Sequence, residues 1–160
     1  MTSIAVWWLF MVGCGSWTSS DSPASPEKKP VLQDGFWNSW GDGKAELNGY
    51  ELVQPRYGEQ RRGEAVLIFV TETFTDAARV KSDGGHDDEY PVMKLNDMRD
   101  FQTGIYDYHA MTSSFVSLKS GTPVAYPVKV SFSMQEWCGH QYAQWLLRDN
   151  HVHEVLHSYW

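Results

Sequence analysis

Histidines near the end of the chain have the spacing of metal ligands. His151 and His153 share odd numbers, so a strand over 152–160 would hold them on one face, close enough to share a zinc ion. His157 points to the same face but lies too far along the strand without a bend, and His140 or His109, from a neighbouring strand, is a candidate third ligand. The same pattern is also typical of a solvated strand face.

Cys138 is the candidate nucleophile, since His140 lies two residues further on as a possible base. An extended backbone would place the thiol and the imidazole on the same face. The alternative is a thiol packed in the core beside Trp137, because cysteine is among the most buried residue types.

Acidic residues cluster between Ser82 and Glu89, where the two glycines predict a loop. Candidate calcium ligands in this segment are Asp83, His86, Asp87, Asp88 and Glu89. Their spacing fits no EF-hand loop, and such charge runs are also typical of solvated loop tips.

The composition favours a β-rich fold of one domain's size. The 160 residues include eight Trp, eight Tyr and seven Phe, which bury large areas and favour pleated surfaces. The net charge is −7, and an acidic chain without a basic stripe is a poor partner for nucleic acid. Two cysteines are too few for a disulfide framework or a zinc site built from cysteines.

The N-terminus predicts export and lipidation. Ile4–Gly13 is an uncharged apolar run, too short to span a bilayer but typical of a signal peptide. It leads into Met11-Val12-Gly13-Cys14, which resembles a lipobox, although Met11 stands where Leu is usual and no Lys or Arg precedes the run. The alternatives are a plain secretory signal or a buried segment of a cytosolic protein.

These features divide the chain into three parts. Residues 1–13 are the expected lipoprotein signal peptide. Residues 14–34 are rich in Ser and Pro and form the expected flexible tether, which begins at the lipidated Cys14. Residues 35–160 are the expected β-rich domain. Gly15 after the cysteine is compatible with sorting to the outer membrane, facing the periplasm or the cell surface.

Period-two alternation predicts most of the domain's elements. Strands are expected over residues 45–54, 57–61, 64–74, 92–95, 101–115, 126–136, 140–147 and 152–160. Turns are expected at Arg62-Gly63 and at 148–151, the 64–74 strand should be central, and 140–147 has a helix as its alternative. The fold class is mainly β, an antiparallel meander forming a curved sheet, an open barrel or a sandwich.

Segments throughout the domain resemble a family of uncharacterised bacterial lipoproteins. They are Trp40–Glu46 (WGDGKAE), Gln54–Glu59 (QPRYGE), Glu64–Glu72 (EAVLIFVTE), Phe101–Tyr106 (FQTGIY) and Gln135–His140 (QEWCGH). Members tend to be longer, which implies a domain truncated at Trp160. Some members carry the label septum formation inhibitor Maf, which implies nucleotide pyrophosphatase activity.

The sequence supports three functional hypotheses. The leading one is a lipid-anchored envelope protein without catalysis or cofactor, which binds an envelope protein or an amphiphilic ligand. The second is an envelope hydrolase that uses a histidine-ligated metal or the Cys138 thiol. The third is a Maf-like nucleotide pyrophosphatase.

The anchor gives the first testable prediction. In membranes of an expressing bacterium, the mature chain should begin at Cys14 and carry a diacylglycerol. Cys14→Ser should abolish both the cleavage and the added mass, because the thiol is the attachment point. Intact-mass spectrometry of the two proteins makes the measurement. An unmodified Met1 in the soluble fraction would contradict the prediction.

Overall fold

Seven antiparallel strands follow a short helix in the computed structural model, which describes residue 32 and residues 34–159. The elements are α1 (Asp34–Trp40), β1 (Glu46–Arg56), β2 (Glu59–Thr75), β3 (Glu89–Thr103), β4 (Tyr106–Ser117), β5 (Tyr126–Glu136), β6 (Gly139–Arg148) and β7 (His151–Ser158). The order of the strands in the sheet is their order in the chain. The expected antiparallel meander is therefore confirmed, as a single sheet that is neither a sandwich nor closed into a barrel. The signal peptide (1–13) and nearly all of the tether lie outside the described residues.

One face of the sheet, which we call the core face, carries the buried cluster. Phe74, Tyr90, Val92 and Phe115 pack together there, with 4.7 Å between the ring centroids of Phe74 and Phe115. A register shift between Phe115 and Val116 brings Val128 into the same cluster. The sequence pattern placed Val128 with Val130 on the opposite face, and the bulge is the reason for the difference.

The loop between β2 and β3 covers this cluster. Arg148 Nη2 on β6 donates to the carbonyl oxygen of Ala77 at 2.6 Å, and Lys129 Nζ on β5 donates to that of Arg79 at 3.2 Å. In a flat sheet β2 and β6 would be about 19 Å apart. The loop therefore crosses the core face, and the burial that results lowers the pKa of Lys129.

The opposite face, which we call the groove face, carries Phe69, Phe101, Tyr108 and Phe132, and Phe101 and Tyr108 are direct partners across β3 and β4. Helix α1 packs at one end of it, where the rings of Trp40 and Phe69 lie 6.5 Å apart. Some Cα atoms of β1 and β3 approach within 8 Å, whereas about 9.6 Å separates alternate strands of a flat sheet. The sheet is therefore curved.

The predicted turn at Arg62-Gly63 is wrong. The chain reverses at Tyr57-Gly58, where φ is 54° and 76°, as a type I′ hairpin turn requires. Gly63 lies inside β2 for another reason. A Cβ atom built there would contact the Asp100 carbonyl oxygen and lie 2.7 Å from Phe101 Cβ. Pro55 does not interrupt β1, because an edge strand tolerates a residue without an N–H group.

Of the other sequence predictions, some are wrong and some are confirmed. β2 is second from the edge and its Ala65–Val70 run is only half-buried, so the expectation of a central, covered strand is wrong. The extended segment expected over 101–115 reverses at Gly104-Ile105 into two strands. The strands over 126–136 and 140–147 are confirmed, as is the turn at Asp149-Asn150, where both φ angles are positive.

Substitution of Gly63 tests the close approach between β2 and β3. Gly63→Ala should lower the free energy of unfolding by about 1–3 kcal/mol, because its methyl group meets backbone that has little freedom to move. Gly49→Ala on β1 is the matched control, since nothing lies within 4 Å of a Cβ atom there. Urea denaturation of both variants makes the comparison. Equal midpoints would contradict the packing described.

Candidate functional site

Three hairpins bring their turns to one end of the sheet. In a meander, the turns after β1, β3 and β5 must lie together. Large apolar side chains occupy these turns instead of polar ones, with exposures of 65% for Tyr57, 72% for Ile105 and 69% for Trp137. The Trp137 ring stacks on Tyr106 at 5.7 Å between centroids. The opposite end carries the acidic loop, so the two ends of the sheet differ in chemistry.

A cluster of one arginine and two tyrosines lies behind the first of these turns. Tyr108 is fully buried, stacks on Phe101 at 5.0 Å, and its hydroxyl lies 2.9 Å from that of Tyr57. Arg56 Nη2 donates to the Tyr108 hydroxyl at 3.3 Å and to the Tyr57 hydroxyl at 3.5 Å. The guanidinium carbon lies 4.6 Å from the centroid of the Tyr57 ring and 5.1 Å from that of the Tyr108 ring.

Arg56 is a half-buried cation without an acidic partner. Within residues 34–159, no carboxylate lies within ion-pair distance of its guanidinium. The hydrogen bond to Tyr108 is the main cause that raises the pKa of Arg56, so the group stays charged. Its Nε atom is buried and has no hydrogen-bond partner in this part of the chain.

A groove of about 300 Å³ begins beside Arg56 on the groove face. Apolar side chains line its interior: Phe101, Ala110, Phe132 and Met134. The remaining lining residues, which we call its rim, are Arg56, Arg99, Asp97, Gln54, Pro55 and Thr112. Arg99 and Asp97 neutralise each other through two hydrogen bonds, at 2.7 and 3.0 Å. The site therefore combines an apolar floor with one unneutralised positive charge.

Buried polar groups also gather at this end of the sheet. Glu136 is buried, and its Oε2 accepts a hydrogen bond from the Cys138 backbone N–H at 2.8 Å. Its Oε1, like the buried Thr103 hydroxyl, has no hydrogen-bond partner among the described residues. Glu136 lies on the groove face beside Tyr108 by register, and its bonded oxygen holds the turn after β5.

The structure does not join Cys138 to His140. Cys138 is exposed in the turn between β5 and β6, while His140 pairs with Gln135 inside the sheet, and no hydrogen bond links their side chains. The thiol lies instead beside the Tyr106 hydroxyl. The charge of the Cys138 thiolate, followed by its hydrogen bond, raises the pKa of Tyr106. The nucleophile and base roles remain predictions.

The candidate zinc ligands lie on exposed strand positions. His151 pairs with Arg148 and His153 with Leu146, so both project to the same face of β7. His140 lies six residues along β6 from Leu146, about 20 Å away in an extended strand. Residues 34–159 contain no group of three histidine, cysteine or acidic side chains that could hold a metal ion.

The acidic side chains of the β2–β3 loop hold the loop itself. Asp88 accepts a hydrogen bond from the Ala77 backbone N–H at 2.7 Å, the main cause that lowers the pKa of Asp88. Glu89 accepts from the Ser82 hydroxyl and from the His86 backbone N–H. These bonds give Asp88 and Glu89 a structural role, and calcium ligation by this loop stays a prediction.

A wider depression of about 560 Å³ lies on the core face. Four polar residues cross it in direct register: Asp100, His109, Gln135 and His140. His109 Nδ1 and Asp100 Oδ1 lie 2.5 Å apart, and both side chains are more than half exposed. This contact pairs a histidine with an acidic side chain on the open surface of the depression.

Comparisons with protein-family models, curated proteins and solved structures found no match. The resemblance to bacterial lipoproteins therefore stays a prediction. In the described part of the chain, the single helix is too short and too polar to cross a membrane.

Sequence reasoning missed the Arg56 cluster, although a signal for it was present. Three segments that carry the family resemblance are Gln54–Glu59, Phe101–Tyr106 and Gln135–His140. Each of them spans a hairpin turn, and in a meander alternate turns share one end. Topology would have placed the three segments together, but the misplaced turn at Arg62-Gly63 hid the relation.

The buried hydroxyl of Tyr108 gives a pH-dependent prediction. Burial is the main cause that raises the pKa of Tyr108 above its ordinary value of 10.0. The neutral phenol therefore stabilises the fold fully below about pH 10, and this stability is lost as the pH rises through the higher pKa of the folded state. At pH 7, Tyr108→Phe should cost about 1–2 kcal/mol, because Arg56 and Tyr57 lose a partner.

Urea denaturation from pH 7 to pH 11 makes this measurement. The advantage of the wild type over Tyr108→Phe should shrink above about pH 10, where the unfolded phenol ionises. Tyr50→Phe, at a half-exposed position on β1, is the control and should leave the stability at pH 7 unchanged. An advantage that grows with pH would contradict the assignment.

Proposed function

We propose that this chain is a lipid-anchored protein of the bacterial cell envelope that binds an amphiphilic ligand without catalysing a reaction. The observation that carries the proposal is the groove, in which an apolar floor meets a charged rim within about 300 Å³. Ligand sites are typically concave and mostly apolar, with a few polar groups that orient the ligand. The groove has this composition.

The arrangement of reactive groups favours binding over chemistry. A thiol nucleophile needs a base within hydrogen-bond reach, and a catalytic zinc ion needs three protein ligands. The Cys138 thiol has Tyr106 as its neighbour, and the two candidate ligands on β7 lie far from His140. The Arg56 cluster, by contrast, offers hydrogen-bond donors and aromatic rings, which are groups that bind ligands.

The expected anchor supports the same proposal, because it would keep the domain close to ligands in the envelope. A domain tethered at Cys14 by some twenty residues samples a small volume beside its membrane, which raises the effective concentration of envelope ligands. The expected lipid on Cys14 would place the protein in the envelope, in the outer membrane in the proteobacterial case. Both points rest on the sequence of residues 1–34.

Filling the groove tests the proposal. Ala110→Leu should weaken the binding of dodecyl maltoside, an uncharged amphiphile, about tenfold or more, since forcing extra methyl groups into packed space costs about 1–3 kcal/mol. Met111→Leu is the matched control, because it places the same side chain one position along β4 on the core face. Isothermal titration calorimetry below micelle formation makes the measurement.

Two results would overturn the proposal. One is a failure of the calorimetric test, in which the wild type binds no amphiphile or Ala110→Leu and Met111→Leu weaken the binding equally. The other is turnover in a screen of hydrolase substrates that depends on a bound metal or is lost in Cys138→Ser. Elemental analysis of the purified protein, together with the Cys138→Ser variant, separates the two hydrolase mechanisms.

A further inference from the structure

The rim of the groove carries a positive charge that the described structure does not neutralise. Arg99, on the same rim, is paired with Asp97, and Arg61 at this end of β2 is paired with Glu59 at 2.7 Å. Among the described residues, the guanidinium of Arg56 forms hydrogen bonds to the hydroxyls of Tyr57 and Tyr108 and contacts their ring faces, and it has no ion pair. Keeping a partly buried cation unpaired is costly, so the charge needs a ligand or a function.

The directions of the hydrogen bonds in the cluster leave the Tyr57 hydroxyl as an outward-facing donor beside the Arg56 charge. The buried Tyr108 oxygen accepts from Arg56, and its own proton must find an acceptor, for which the Tyr57 oxygen at 2.9 Å is in position. The Tyr57 hydroxyl proton is then free to point to solvent, and this side chain is largely exposed. The Arg56 guanidinium at the rim and the Tyr57 hydroxyl next to it are therefore the two donors closest to this end of the groove.

The floor beside these donors suits one alkyl chain. Phe101, Phe132 and Met134 contribute apolar surface from three neighbouring strands, and the volume of about 300 Å³ is at the lower limit of ligand pockets. A single chain with a compact head fits this volume better than a lipid with two chains.

We propose that the groove binds a single-chain anionic amphiphile, whose carboxylate or phosphate oxygens accept hydrogen bonds from Arg56 and Tyr57 while its chain lies on Phe101, Phe132 and Met134. This inference rests on the proposed function and adds the charge class of the ligand. Charge-assisted hydrogen bonds from a guanidinium fork to an oxyanion are among the strongest that proteins make. The pKa shift of Arg56 supports it, since the group keeps its charge throughout the physiological range.

The test compares four probes that share a twelve-carbon chain. Dodecanoate and dodecyl phosphate carry the two anionic heads, dodecyl maltoside is neutral and dodecyltrimethylammonium is cationic. The full chain is titrated by calorimetry below micelle formation, as wild type and as Arg56→Gln. Arg62→Gln is the matched control, because Arg62 is also unpaired among the described residues but is exposed on the core face.

Arg56→Gln should weaken the binding of at least one anionic probe roughly 10- to 100-fold and leave dodecyl maltoside unchanged. The anion with the larger loss identifies the head, carboxylate or phosphate. Arg62→Gln should change neither. Arg56→Lys should give an intermediate loss, because the charge remains while the fork is removed. Circular dichroism verifies that each variant folds, and Arg56→Lys serves as the test if Arg56→Gln does not fold.

The remaining outcomes separate the two proposals. Equal losses in Arg56→Gln and Arg62→Gln would show a general effect of net charge and overturn the role of Arg56. If dodecyl maltoside or the cationic probe bound the wild type as tightly as the anions, the charge class would be wrong while amphiphile binding would stand. Binding of none of the four probes would overturn both proposals.

Discussion

The buried hydroxyl of Tyr108 connects β4 to the end of β1, two strands that are not paired with each other in the sheet. Every strand pairs only with its neighbours in the sequence, so pairing alone does not direct side chains of β1 towards β4. Arg56 and Tyr57 reach Tyr108 across 52 and 51 residues of sequence. Phe101 lies flat beside Tyr108 because Gly63 leaves room on the adjacent strand. The position of Arg56 on the rim of the groove depends on this hydroxyl together with that of Tyr57.

Much of the fold could be predicted from the sequence, because half-buried antiparallel strands leave a period-two pattern. The alternation over 126–136 gave both bounds of β5. Glycine was harder to interpret. Gly58 allows a turn with positive φ, whereas Gly63 allows close packing of β3. The sequence alone does not distinguish these two roles of glycine. The short helix α1 was not predicted, because its seven residues are too few for the helical spacing of Phe36, Trp37 and Trp40 to stand out as a pattern.

The candidate site was less predictable, because its chemistry depends on neighbours that are distant in sequence. Reasoning from residue types favoured Cys138 with His140, which are close in sequence. Cys138, however, is exposed in the turn after β5, whereas His140 lies within β6. An arginine, by contrast, becomes a candidate binding residue only when the structure shows that no carboxylate pairs with it. That no carboxylate among residues 34–159 pairs with Arg56 is a property of the three-dimensional arrangement.

The meander order has a consequence for how the groove comes into being. Strands that pair with their immediate predecessors form local contacts, and such topologies fold rapidly, one hairpin after another. The rim and floor of the groove, however, come from Arg56 on β1 and from Phe132 and Met134 on β5. A chain folded only as far as β4 therefore has Arg56 and the part of the floor formed by Phe101 and Ala110, but lacks the part formed by Phe132 and Met134. The groove is complete only when the fifth strand has paired with the fourth.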